Sequence, residues 1–203
     1  FWGTAMLAML WGGAHGMEGM LRRNFAGFTT NLGAVFPGQT SISFKGFNKG
    51  MQWTMTQNDV DAIRRITPNI EYSTTICQNY GTIQYGTQSK QAQIIGYEPD
   101  FSKILLPVIY SGRVLNESDE SGSRKVALIG KNIAAELFGT EEPVGKFICA
   151  KGIYFLVAGV IGQTSEVNIG GRYDESVIIP SSTFRRAYNW GNQVNFFMYT
   201  ADA

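Results

Sequence analysis

Apolar and polar positions change period several times along the chain. Residues 1–17, FWGTAMLAMLWGGAHGM, carry no charged side chain before Glu18. The run is slightly shorter than the roughly 20 residues that cross a hydrocarbon core. It lacks the basic flank and cleavage site of a signal peptide. Residues 1–16 therefore read as the end of a first transmembrane helix. Trp2 and Trp11 suit the headgroup level, and Arg22 and Arg23 lie just outside it. A buried core helix is the alternative reading. Residues 18–36 are mixed and read as a continuing helix that frays into a loop. A turn at Pro37-Gly38 is expected to lead into a strand, and 44–50 reads as a glycine-spaced loop.

The clearest helix is TMTQNDVDAIRRITPNI (54–70). Thr56 is the expected cap, with Asp59 in the capping-box place. Arg64 and Arg65 fall in the last turn, where the helix dipole favours them. Val60, Ile63 and Ile66/Thr67 form the predicted apolar stripe, and Pro68 stops the helix. From Ile70 to Tyr97 the pattern is β: EYSTTICQN, YGTIQYG and KQAQIIGYEP read as three strands separated by turns. LPVIYSGR leads to Gly112-Arg113, and VLNESDESGSRK (114–125) reads as a polar loop. Its carboxylates Glu117, Asp119 and Glu120 have the residue type for acid–base chemistry. A solvated loop accounts for them more simply.

KVALIGKNIAAELFG (125–139) predicts a strand, a turn at Gly130 and a helix with Ile133, Leu137 and Phe138 on one face. KFICAKGIYFLVAGVIG (146–162) predicts a hairpin about Ala150-Lys151-Gly152. TSEVNIGGRYDE is a second polar loop. SVIIP reads as a short buried strand, SSTFRRAY as a helix capped by Ser181 or Ser182, and QVNFFMYTADA as a final strand. Strand, helix and strand at this spacing form a βαβ-like unit.

Composition narrows the function classes. Charged residues make up 16% of the 203, the net charge is +1, and Lys and Arg are scattered, so no basic stripe marks a nucleic-acid partner. The 24 glycines favour turns and short strands over long helices. Cys77 and Cys149 with the single His15 do not make a metal motif. Two separate buried thiols explain the cysteines better than a disulfide does. A dinucleotide fold needs G-x-G-x-x-G in the strand-to-helix turn, and only Gly130 is present there. A P-loop is absent. One histidine cannot serve a distant nucleophile. An enzyme is not expected, and an oxidoreductase would rest on 125–139 alone.

The ordered set from Gly112 to Ile161 resembles the periplasmic core domain of MacB-type ABC transporter permeases, the family related to FtsX and the lipoprotein-releasing permeases. The resemblance rests on Gly112-Arg113, Gly130, Glu136-Leu137-Phe138-Gly139, Pro143, Gly145 and the hairpin that follows. VIIPSSTFRRAY, with Pro180, resembles the family's later Ile-Pro segment. These are motif positions of structural kind; no catalytic, cofactor or metal residue is implied.

The resemblance implies an α+β fold: a porter-like βαβ subdomain (17–100 and 168–203) with an inserted β-rich, Sabre-like subdomain (101–167). It implies a non-catalytic, extracytoplasmic domain of an inner-membrane (plasma-membrane) permease, moved by ATP hydrolysis on a cytoplasmic ABC ATPase subunit or domain. The implied partners are that ATPase, a second permease copy, a periplasmic adaptor and an outer-membrane channel. No cofactor is implied. The rival reading is a membrane-anchored periplasmic module that binds a ligand or protein for signalling. The segment 36–53 matches no family function.

Overall fold

The computed structural model describes residue 6 and residues 31–41, 48–50, 52–163 and 171–201. The expected transmembrane segment 1–16, apart from Met6, lies outside the described residues. So do most of the 18–36 helix and parts of the 36–53 and 164–175 loops. No helix among the described residues is long and apolar enough to cross a membrane.

The chain runs β1 (Leu32–Val35), β2 (Met55–Thr56), α1 (Gln57–Ile66), β3 (Ile70–Tyr85), β4 (Gln88–Tyr97), α2 (Phe101–Leu105), β5 (Val108–Gly112) and α3 (Glu117–Ser121). It continues through β6 (Val126–Gly130), α4 (Lys131–Phe138), β7 (Phe147–Ala150), β8 (Ile153–Gly162) and a 3-10 turn (Tyr173–Glu175). β9 (Ser176–Pro180), α5 (Ser181–Ala187), β10 (Gln193–Val194) and β11 (Phe196–Ala201) complete it.

Nine strands share one sheet in the order β1-β11-β3-β4-β9-β6-β8-β5, and β7 joins β8 back to β3. The pairs β3–β4, β4–β9, β9–β6, β6–β8, β8–β7 and β7–β3 thus close a circuit of hydrogen-bonded strands. Most pairs are antiparallel; β4–β9 and β6–β8 are parallel. β9 runs with β4, β4 opposes β3, and β3 opposes β11. β9 and β11 therefore point the same way, with two strands between them. The predicted βαβ unit is present in split form, and the α+β class holds.

Central strands are buried on both faces, which is why they read as unbroken apolar runs. Side chains alternate between two cores. Ala127 and Ile129 of β6 and Val177 and Ile179 of β9 face one core, completed by Ile133, Leu137 and Phe138 of α4 and Phe184 of α5. Val126, Leu128 and Ile178 face the other, covered by Phe101, Ile104 and Leu105 of α2. A third, small core holds α1 through Val60 against Met55, Val194 and Phe197.

Several expectations need correction. Leu32–Val35 is not a fraying helix end but a strand on β11. After Pro37-Gly38 the described residues show one isolated bridge, Gln39 to Gln52. Ile66 is 78% exposed. It sits about 120° around the helix from Val60, away from the small core. The two strands expected between Glu71 and Gly86 are one 16-residue strand. Gly81 does not turn the chain. A Cβ there would lie 3.2 Å from Lys151 Cβ, and the Lys151 N–H donates to Thr82 O at 2.9 Å. The glycine admits the tip of the β7–β8 hairpin. That hairpin turns as predicted, with Lys151 at φ 49° and Gly152 at φ 83°.

Gly96 is where α5 presses closest on β4. A Cβ there would stand 2.8 Å from Phe184 Cβ, an atom no rotamer can move. Gly96→Ala is expected to destabilise by about 1–3 kcal/mol through overpacking. Urea unfolding checks it; an unchanged midpoint would show that α5 is free to shift.

Candidate functional site

The predicted motif residues do not converge on one pocket. They occupy joints between elements. Gly112 ends β5 at φ +76°, and a Cβ there would meet Ala158 O at 2.2 Å. Opposite it, a Cβ on Gly159 would meet Arg113 O at 2.5 Å. Two facing glycines let β5 and β8 approach closely just past the point, between Ile109 and Ser111, where their register shifts. Gly130 ends β6, and its missing side chain admits the Tyr173 and Asp174 carbonyls, at 2.1 and 2.3 Å from where a Cβ would be. The Lys131 ammonium lies 3.5 Å from Asp174. The strand-to-helix turn is thus closed by the chain's own carbonyl oxygens, which leaves no cradle for a pyrophosphate.

The Glu-Leu-Phe-Gly motif anchors α4. Leu137 and Phe138 are buried, Tyr85 stacks on Phe138 at 4.0 Å, and Glu136 pairs with Lys90 of β4. Gly139 ends the helix at φ +60°, its N–H donating to Ala135 O at 3.0 Å. Pro143 is buried and its carbonyl accepts from Lys146 N–H. Gly145 at φ +85° donates to Val157 O at 2.9 Å, which starts the hairpin in register. Pro180 closes β9 opposite Tyr97 and precedes α5.

The charged cluster lies where the solvated loop 114–125 was expected. That segment instead forms α3, and Asp119 is fully buried. Asn116 Oδ1 accepts the Asp119 N–H at 3.0 Å, and the Asp119 carboxylate accepts the Asn116 N–H at 3.1 Å. The Arg113 guanidinium grips both Asp119 oxygens, at 2.6 and 3.1 Å, and Arg124 adds its charge at 3.7 Å. Burial alone would push the Asp119 carboxyl up. The hydrogen bonds from Arg113 and Asn116 and the two guanidinium charges outweigh it and hold the group below the usual range.

The next residue ties α3 to α5. Glu120 Oε1 accepts the Ser182 N–H at 2.8 Å, Glu120 O accepts the Ser182 hydroxyl at 2.6 Å, and Arg124 O accepts the Thr183 hydroxyl at 2.9 Å. Helix α5 is therefore capped from outside, not by Ser181 or Ser182 as predicted. Ser181 Oγ instead lies 3.3 Å from Thr75 Oγ1. Burial pushes the Glu120 carboxyl up; the Ser182 N–H draws it down, and the Glu98 charge adds to the rise.

Glu98, just past β4, accepts from Arg64 of α1 and from the Thr75 N–H at 3.3 Å. Arg64 also donates to Ser73 Oγ at 3.0 Å. Arg185 of α5 donates to Gln57 Oε1 of α1 at 2.5 Å and to Thr75 Oγ1 at 3.3 Å. Helices α1, α3 and α5 and strands β3 and β4 are thereby clamped by charge at one place. Sequence reading missed this site. The Asn116-x-x-Asp119 spacing is a capping-box signal that points to α3, whereas nothing local points to Glu98 or Glu120.

Cys77 and Cys149 are both free thiols. Cys77 Sγ is 3.5 Å from Gln193 O. Among the described residues no group of His, Cys, Asp and Glu is placed to hold a metal ion.

The two adjacent carboxylates carry opposite pH signatures. A carboxyl lowered by folding contributes stability above its unfolded pKa, about 3.9 for Asp, and loses it as pH falls through the folded value. A carboxyl raised by folding costs stability as pH climbs from about 4.3, the unfolded Glu value, through the folded value. Asp119→Asn is expected to cost roughly 1.5–3 kcal/mol at pH 7 and to converge on the parent at low pH. Glu120→Gln keeps an acceptor for Ser182 and is expected to gain on the parent as pH rises from 4 to 7. Urea unfolding from about pH 2 to pH 7 reads the two slopes, that of Asp119 below about pH 4 and that of Glu120 above it.

All of residues 1–203 match the family model of the MacB-like periplasmic core domain. The macrolide export ATP-binding/permease protein MacB of Syntrophobacter fumaroxidans is 27% identical over 178 residues, which is 87% of this chain and 25% of that protein. The pyoverdine export ATP-binding/permease protein PvdT of Pseudomonas aeruginosa is 26% identical over 170 residues, 82% of this chain and 26% of that protein. The chain thus spans about a quarter of the length of these relatives. The periplasmic region of MacB from Actinobacillus actinomycetemcomitans shares the fold, with a TM-score of 0.71, 20% identity, and coverage of 88% of this chain and 78% of that one. The extracellular domain of the noncanonical ABC-type transporter YknZ from Gram-positive bacteria superposes with a TM-score of 0.68 at 15% identity, covering 85% and 84%. Matched from its first residue to its last, the chain belongs to the family of MacB-like periplasmic core domains.

Proposed function

We propose that this domain is the extracytoplasmic part of an inner-membrane ABC transporter permease, and that it converts cytoplasmic ATP hydrolysis into movement outside the membrane. It performs no chemistry itself. The ATPase, fused or separate, supplies the energy, and a second permease copy supplies the surface against which the domain opens and closes. A periplasmic adaptor and an outer-membrane channel complete the path. Relatives are named for macrolide and pyoverdine export, and export or extrusion is the role we infer for this chain.

The observation that carries this reading is the placement of β1 and β11. They pair antiparallel with Leu32 opposite Thr200, and the Ala201 N–H donates to Asn31 O. Both strands therefore meet the rest of the protein at one edge, and a push there acts on both together. From β11 the load passes to β3, whose other half lies within the closed circuit of strands. The Arg64–Glu98 contact stiffens the route by tying α1 to the end of β4, and the Glu120–Ser182 contact ties α3 to α5. Residues 17–100 and 168–203 serve as the porter-like subdomain at the driven edge, and 101–167 as the inserted β-rich subdomain.

The test uses the full-length permease with its ATPase in nanodiscs, cysteine-free except for a spin label at Gln88, an exposed residue starting β4. The label-to-label distance between the two copies is expected to change between the nucleotide-free and the ATP–vanadate state. An unchanged distribution, with ATPase activity intact, would overturn the mechanical role and favour a static binding module.

A further inference from the structure

A cavity of about 320 Å3 opens between the residues after α3, the start of β8 and the later part of α5. That is near the lower end of the size of small-molecule sites. Lys125 and Arg186 both line it, and both are exposed. Neither forms an ion pair with a carboxylate among the described residues. Two cations without a counter-charge across one small cavity leave a positive field that an anion would settle.

Ser123 supplies a second, independent sign. Its backbone sits at φ 45°, a left-handed conformation that a serine seldom adopts. Its hydroxyl oxygen is buried and has no hydrogen-bond partner within the protein. Ser123 lines the cavity; burying a hydroxyl unpaired is costly, and a rotation about its Cα–Cβ bond that turns it to a ligand oxygen there would satisfy it. Ile153 and Ala187, both half-buried, give the cavity an apolar wall.

The frame is rigid. Arg124 O accepts the Thr183 hydroxyl at 2.9 Å and Lys125 O accepts the Leu156 N–H at 2.9 Å, so the segment bearing Ser123 and Lys125 is fixed to α5 on one side and to β8 on the other. Thr183 is thus a strut, and Ser123 is left as the donor.

We propose that this cavity binds a small amphiphilic anion: an oxyanion head, phosphate or carboxylate, held between Lys125 and Arg186 with the Ser123 hydroxyl donating to it, and a short apolar tail against Ile153 and Ala187. The guanidinium fork of Arg186 suits a planar pair of oxygens, and Lys125 acts as a point charge beside it. The site adjoins the Asp119 clamp through Arg124, which lies between Ser123 and Lys125, and it does not require the domain to transmit motion.

Calorimetric titration of the 203-residue chain with hexyl phosphate and with inorganic phosphate tests this. Hexyl phosphate is expected to bind about tenfold or more tightly than inorganic phosphate. The double variant Lys125→Gln/Arg186→Gln, which changes two exposed side chains, is expected to lose at least about tenfold in affinity for both. Ser123→Gly, which relieves the left-handed backbone while removing the donor, is expected to unfold at the same or higher urea concentration yet bind more weakly. Equal affinity for the two probes, undiminished binding by the double variant, or no heat with hexyl phosphate at millimolar concentration would each overturn the proposal.

Discussion

Strand β3 is the constraint on which the rest depends. Its 16 residues span roughly 50 Å at about 3.3 Å per residue. Its first half pairs with β11, its second half with β4, and Ile83 and Gln84 near its end also meet β7. A single run of backbone hydrogen bonds thus belongs both to the β1–β11 edge and to the closed circuit of strands. Hydrogen-bonded strands resist sliding because a one-residue register shift moves all side chains to the wrong face. With apolar side chains in both cores of this sheet, that penalty is paid twice.

Electrostatics secures what the ladder aligns. The helices that rest on β3 and β4 are short, and isolated helices of that length are marginal in water. They are held by their apolar faces and by a few charged contacts reaching between segments far apart in sequence. Arg64 reaches Glu98, Glu120 reaches Ser182, and Arg185 reaches Gln57. Asp119 and Glu120 are neighbours with opposite environments: one is fully compensated by guanidinium groups, and the other is left partly uncompensated beside Glu98.

What could be read from the sequence follows the range of the interaction. β6, β9, the β7–β8 hairpin, α1 and α4 were legible because each is announced by adjacent residues: an apolar run, a Lys151-Gly152 turn, an Asp59 cap or a Gly139 stop. The motif glycines were legible as a set, although their reasons were not; Gly112 and Gly130 are required by carbonyls that come from β8 and from the 3-10 turn. The unbroken β3 was hidden because Asn79-Tyr80-Gly81 looks like a turn, and the hairpin tip that explains Gly81 comes 70 positions later. The clamp was hidden for the same reason. Glu120 caps a helix through Ser182, 62 residues on, and no local pattern encodes that partner.

The antiparallel pairing of β1 with β11 has a consequence for how such a fold spreads. A body whose first and last described strands are hydrogen-bonded neighbours occupies, at that edge, little more width than one loop does. It can be inserted into, or removed from, a connection between two adjacent segments of another protein without forcing those segments apart. Selection can then vary the rest of the sheet while a host keeps its own geometry, as a portable cassette would allow.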